Sequence, residues 1–450
     1  MRVRHLVLRL GLLIAVGTGA QRGPTPPVPG VGIAESLAKE RAARVADLRY
    51  ALSFTIPVDR MARVAAHATI TFTLRDAAAP LALDFEPNQM GALHRVEAGG
   101  SLLEARLVMI NGHILLPASA LRVGTNTISL DFDAGDAPLN RSDDFLYTIF
   151  VPARAHEAFP CFDQPDLKGR WTLGLDVPAG WETIANGAET ARASSGGRTR
   201  LTFAETAPLS TYLVAFAAGR FMVEQAERNG RTFRMVHRET DAQKVLRNRD
   251  AIFDLHAAAL DWLERYTGIP YPFGKFDFLL VPDFQFGGME HPGAVFYNAP
   301  GLLLDESATQ NDRLARASVI SHETSHMWFG DLVTMTWFAD VWMKEVFANF
   351  MAAKIVNPSF PEVNHELRFL HAYYPPAYGV DRTAGTNAIR QPLDNLKDAG
   401  TLYGAIIYQK APVVMRQLEA LMGADAFRDG LREYLRARSE EHTSELQSQR

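Results

Sequence analysis

The sequence predicts an α+β multidomain chain, with an antiparallel β domain first and an α-rich domain with a small sheet second. Three observations carry this. Short runs of strict apolar/polar alternation fill the first half, apolar residues at helical spacing fill the second, and 450 residues exceed what one hydrophobic core usually supports. A composition 47% hydrophobic and 22% charged excludes a disordered, collagen-like or coiled-coil chain. A formal charge of −5 supplies no field that would gather nucleic acid, so no nucleic-acid partner is expected.

Residues 1–20 have the shape of a signal peptide: the basic start Met-Arg-Val-Arg-His, a mostly apolar stretch over 6–16 broken by Arg9, and small residues over 17–20. Only one cysteine is present, Cys161, so no intrachain disulfide can form, and the expected destination is a bacterial periplasm or the medium. No later run approaches the roughly 18 uninterrupted apolar residues of a membrane span. Residues 21–45 read as a Pro/Gly-rich linker and lead-in, because proline fixes φ and removes backbone donors.

Residues 46–220 form the predicted β domain, with strict alternation over 69–74, 81–86 and 127–132. Residues 221–437 form the α-rich domain. Val245, Ile252, Leu255, Ala259 and Trp262 share one helical face that Gly268 and Pro270 close, a short strand follows over 276–281, and helices dominate from Leu314 onward. Residues 438–450 lack apolar periodicity, and their first eleven match the conceptual translation of a sequencing-adapter oligonucleotide. They read as a non-native tail that does not continue the preceding helix and leaves the α-rich domain incomplete at its C-terminal end.

The chemistry concentrates at His322-Glu323-Thr324-Ser325-His326. Helical residues i and i+4 lie on one face, so both imidazoles can reach one metal ion while Glu323 sits beside its open position. Catalytic zinc needs a third protein ligand. After eighteen intervening residues comes Glu345, a carboxylate on an otherwise apolar helical stretch, which is costly there unless paired or metal-bound. Two imidazoles and a carboxylate suit Zn2+. With 13 histidines, a chance H-E-x-x-H in this chain has odds of roughly one in fifty, and the downstream glutamate lowers them to about one in a thousand. Thirty-two residues before His322 stands Glu290, in Gly287-Gly288-Met289-Glu290-His291, where the glycines would let another backbone approach and pair with the strand.

These motifs resemble the gluzincin peptidases, and more narrowly the aminopeptidase N family. Gly287-Gly288-Met289-Glu290-His291 is similar to its G-x-M-E-N strand, Phe159-Pro160-Cys161-Phe162-Asp163-Gln164-Pro165 to its F-P-C-F-D-E-P signature, and Tyr408-Gln409-Lys410 to its Y-x-K segment. The resemblance implies a β-saddle domain, a thermolysin-like catalytic domain and a helical C-terminal domain beyond this chain. It implies one Zn2+ on His322, His326 and Glu345, Glu323 as general base, Tyr408 as donor to the oxyanion, and 287–291 as the substrate-binding strand, with Glu290 as the fixed negative group by which an exopeptidase holds a free α-ammonium. Tyr403 and Tyr297 rival Tyr408 on tyrosine chemistry alone. The implied substrates are peptides with a free N-terminus and the implied enzyme is a monomeric aminopeptidase. A weak or inactive scaffold, a zinc endopeptidase and a leukotriene-hydrolase-like enzyme with altered amine recognition are the other readings.

Three positions depart from the family pattern. His291 stands where it has asparagine and is expected to titrate near neutrality. Lys344 precedes the third ligand and, on helical geometry, is expected to face away from it. Val151 stands where relatives often carry a second amine-contacting Glu or Gln, and Phe286 is placed to line the first side-chain pocket.

Overall fold

The structure is a computed structural model that describes residues 28–440; the predicted signal peptide, the start of the Pro/Gly-rich run and residues 441–450 lie outside the described residues. The segment read as a lead-in contains helix α1 (Glu35–Arg44). Its Arg41 is fully buried, donating to both oxygens of Asp84 at 2.7 and 2.5 Å, and His113 Nδ1 lies 2.8 Å from the same carboxylate. Charges this deep are tolerable only when paired and hydrogen-bonded.

The alternating runs become sheet. Leu48, Tyr50, Leu52 and Phe54 of Val45–Thr55 turn inward, as do Ala68, Ile70, Phe72 and Leu74 of Val64–Leu74. An eight-stranded sheet runs in the order Glu189–Ser195, Arg198–Phe203, Arg170–Pro178, Val45–Thr55, Val64–Leu74, Gly124–Ala134, Leu93–Ala98 and Ser101–Leu103. One pair departs from the antiparallel expectation: Val45–Thr55 runs parallel to Arg170–Pro178. The long chain between them supplies the crossover that a parallel pair requires.

A second sheet has five strands in the order Met222–Arg228, Arg231–His237, Phe276–Val281, Ala294–Asn298 and Gly288–Met289. The middle three are parallel, and Phe276–Val281 is buried at every residue, as a central parallel strand covered on both faces should be. Helix α2 (Ala242–Thr267) connects the second and third strands. Asp241 caps its start by accepting from the Gln243 and Lys244 amides, and Gly268 closes it with φ 70°. Among the described residues the Gly288–Met289 strand pairs with Ala294–Asn298 alone, which leaves its other backbone edge free.

Helices α3 (Gln310–His326), α4 (Val341–Val356), α5 (His365–Asp381), α6 (Ala411–Met422) and α7 (Ala424–Glu440) complete the chain. A capping box between Thr309 and Asp312 starts α3. Helix α4 is apolar nearly all round and packs against α3 as a buried helix. Helix α7 continues through Ser439 and Glu440, so the expected stop before residue 438 is corrected. Loss of apolar periodicity does not end a helix where no glycine or proline intervenes, and Ser439 Oγ donates back to the Arg436 carbonyl at 3.2 Å. No helix among the described residues is long and apolar enough to cross a membrane.

Candidate active site

The H-E-x-x-H segment forms the last turn and a half of α3, and Glu345 sits one turn into α4. His322 Nε2 and His326 Nε2 lie 3.1 Å apart, and Glu345 Oε2 lies 3.5 Å from the first and 3.7 Å from the second. Four-coordinate zinc, with bonds of about 2.0–2.1 Å, holds neighbouring ligand atoms roughly 3.3 Å apart, so this triangle fits the ion. The outer ring nitrogens strengthen the fit. His322 Nδ1 is 3.1 Å from Asn349 Oδ1, and His326 Nδ1 is 3.1 Å from the Phe329 carbonyl. Each acceptor fixes its ring with the proton on Nδ1, so two Nε2 lone pairs face each other, an arrangement that repels unless a cation lies between them.

Among the described residues, His322, Glu323 and His326 also form a group that could hold a metal ion, with ligand atoms within 4.8 Å of one another. Glu345 Oε2, 3.5 and 3.7 Å from the two imidazole Nε2 atoms, is likewise close enough to complete a triangle of ligand atoms with them. Glu323 is buried, and burial pushes its carboxyl up to about 8, the Glu290 and Glu345 charges adding to the rise while His322 opposes it. A carboxyl poised near neutrality is suited to take and return a proton. For Glu345, burial works in the other direction from its surroundings, and Lys344 with the two imidazoles holds it well below the usual carboxylate range.

These groups open on a cavity of about 1190 Å3, whose walls include residues 287–290, α3, α4, α5, α6, and Val151 and Pro152 from the first part of the chain. Gly288 presses on Glu323: a Cβ there would lie 2.5 Å from Glu323 Cγ and from Oε1. That close approach is a role for this glycine beyond admitting substrate. Phe286 is 42% exposed and lines the same cavity.

Tyr408 lies in a π-helical turn, Ile406–Lys410, and faces the cavity; burial raises its phenol well above the usual value, so it stays protonated and can donate. Tyr403 also lines the cavity, and its buried hydroxyl has no hydrogen-bond partner among the described residues. Tyr297 is removed from contention. It is fully buried outside the cavity lining, with its hydroxyl 3.1 Å from His256 Nε2.

His291 does not line the cavity. It is buried edge-on to Phe296, with neither ring nitrogen hydrogen-bonded among the described residues. Burial lowers its imidazole to about 3, so the expected titration near neutrality is corrected to a neutral ring. Lys344 overturns its expectation more fully: it is 5% exposed and ion-paired to Glu290, with Nζ 3.2 Å from Glu345 Oε1. Adjacent helical residues diverge at Cβ, but a four-carbon stem can bend back across that angle. Asn349, which orients His322, was also invisible to motif reading. It stands one turn after Glu345 on the same face, a spacing that could have disclosed it.

Paired imidazoles, a third carboxylate and a separate buried glutamate at the wall of a cavity make up a metallopeptidase type of site. Residues 252–447 match the Peptidase family M1 domain, and residues 137–213 match the Peptidase M1 N-terminal domain. The chain is 34% identical over 306 residues to the puromycin-sensitive aminopeptidase of Caenorhabditis elegans, an alignment covering 66% of this chain and 31% of that relative. It is 33% identical over 291 residues to aminopeptidase M1-A of Oryza sativa subsp. japonica, covering 64% and 32%. To the leucyl aminopeptidase of Saccharolobus solfataricus it is 30% identical over 291 residues, covering 65% and 37%. The matched part spans about a third of the length of these relatives. The chain belongs to peptidase family M1, the aminopeptidase N family of zinc metallopeptidases.

Proposed function

We propose that this chain hydrolyses the peptide bond at the amino end of peptides, with His322, His326 and Glu345 holding one Zn2+. The observation that carries this reading is the triangle of donor atoms, 3.1 to 3.7 Å on a side, beside a buried Glu323. Zinc, when bound, supplies Lewis acidity, lowering the pKa of a water and polarising the scissile carbonyl. Glu323 accepts the proton of the attacking water and returns it to the leaving nitrogen. The free edge of Gly288–Met289 pairs with the substrate backbone and brings the scissile bond to α3. Tyr408 donates to the oxygen on which charge develops.

Hydrolysis of aminoacyl-arylamides tests this. Chelation abolishes it, and Glu323→Gln lowers kcat by about 10²- to 10⁴-fold while zinc content is retained. Activity that survives chelation, or a Glu323→Gln protein as fast as its parent, would contradict the reading.

A further inference from the structure

Tyr408 rests on a different core from the zinc-ligand helices. Ile320 of α3 and Val346 and Phe347 of α4, which flank His322 and Glu345, belong to the hydrophobic cluster of the α-rich part. Tyr408 packs, with Tyr403, against the cluster that the strands of the first part also fill, where Leu396, Ala399, Leu402 and Ile407 are buried. The segment 394–404 therefore carries Tyr408 on the side of the β-rich part. It passes its position on through two contacts. The Gly404 carbonyl accepts from the Ile407 and Tyr408 amides at 3.0 Å each, and the rings of Tyr403 and Tyr408 stack with centres 6.3 Å apart.

That segment is tied in turn to the start of the described chain. The Leu396 amide donates to the Ile33 carbonyl at 2.9 Å, the Glu35 amide to the Asp394 carbonyl at 2.9 Å, and Asn395 Nδ2 to the Val31 carbonyl at 2.9 Å. Gly32 lies between these bonds at φ 70°, and a Cβ on it would stand 2.5 Å from Asn395 Oδ1, so both the backbone conformation and the close approach require glycine. On the other side, His113 Nε2 lies 3.0 and 3.2 Å from the Gly30 and Gly32 carbonyls while its Nδ1 faces Asp84, which roots residues 30–35 in the buried Arg41–Asp84 pair.

We propose that residues 30–35 and Asn395 form a strap that positions Tyr408 for its donation to the oxyanion, which makes Asn395 a positioning residue for peptide-bond hydrolysis. This rests on the role given to Tyr408 above. The α-rich core holds the zinc ligands and the strap holds the donor, so loosening the strap lowers turnover and leaves metal and ground-state binding as they were.

Two variants loosen it from opposite sides. Gly32→Ala pushes a methyl group onto Asn395. Asn395→Asp keeps the oxygen that accepts from the Lys397 amide but turns a second oxygen, in place of an N–H, toward the Val31 carbonyl. On the zinc-loaded chain each is expected to lower kcat for leucine arylamide by about tenfold or more, with KM within about twofold of the parent and zinc content unchanged. Each is then combined with Tyr408→Phe, where the strap has no donor left to position and no further loss is expected. A strap that merely supports the fold would slow the parent and the Tyr408→Phe protein by the same factor, which overturns the proposal; so does an unchanged kcat in both strap variants. Hydrogen exchange of the Ile407 and Tyr408 amides reads the same coupling without turnover: at least about tenfold faster exchange is expected in both variants, and unchanged exchange overturns the proposal. A parent without activity, or a Tyr408→Phe protein as fast as its parent, counts against the reading of the site alone, because exchange still decides whether the strap orders this segment.

Discussion

At the scale of single residues, the site depends on what is missing at position 288. Glu323 can stand beside the two imidazoles only because Gly288 presents hydrogen where any other residue presents carbon, at 2.5 Å from its Cγ. Gly288→Ala is therefore expected to displace Glu323 and lower kcat/KM by about 10²-fold, with zinc content unchanged. Gly287→Ala, whose added methyl meets only Val319 Cγ2 at 3.5 Å, should cost far less. Equal effects in a side-by-side assay would refute the steric account. The two histidines and Glu323 were legible in the sequence because helical periodicity fixes their mutual placement, and Glu345 because a carboxylate on an apolar helical stretch needs a partner. Lys344 was not, since its partner Glu290 follows the Gly288–Met289 strand, 54 residues earlier, and only tertiary packing joins them.

At the scale of elements, the segment Phe159-Pro160-Cys161-Phe162-Asp163-Gln164-Pro165 turns out to be a junction. Cys161 exchanges backbone bonds with Asp84, the Asp163 amide donates to Asp84 Oδ2 at 2.9 Å, and Gln164 Nε2 donates to the Ala38 carbonyl of α1 at 2.9 Å. Asp163 also accepts from Thr211 Oγ1 at 2.5 Å and lies 2.7 Å from His156 Nδ1. Burial opposes a charged His156, but the Asp163 carboxylate, helped by Asp84 and Glu157, holds its imidazole up to about 9. The folded chain thus binds this proton more tightly than the unfolded one, whose histidine titrates near 6.5. The resulting stabilisation is whole below about pH 6.5 and is lost as pH rises through about 9. Urea midpoints measured from pH 6 to 9.5 should fall across that window and should fall less in His156→Gln; parallel profiles would contradict the assignment. The strands around this junction were legible from alternation. Alternation names the buried face but not the partner, which is why the parallel pairing of Val45–Thr55 with Arg170–Pro178 was not foreseen. Helix α1 escaped notice for a related reason: its buried arginines look like solvated charges until Asp84 is brought to Arg41 and the Asp76, Ala79 and Pro80 carbonyls to Arg44.

At the scale of the whole molecule, the first and second parts of the chain share one hydrophobic cluster, in which Phe54, Phe159 and Phe216 pack with Phe296, Trp337 and Leu396. Lys168 crosses the same boundary, donating to the Asp331 and Leu332 carbonyls at 2.8 and 3.0 Å. The first part of the chain thereby contributes Val151 and Pro152 to the wall of the cavity. The α+β division was legible because its two periodicities occupy different halves of the sequence; the shared core was not, since it joins residues far apart along the chain. The zinc content of the purified chain after loading and dialysis tests the site most directly. One zinc ion per chain is expected for the parent, and loss of that zinc in Glu345→Ala. A parent that retains no zinc, or a Glu345→Ala chain that retains it as tightly as the parent, would contradict it.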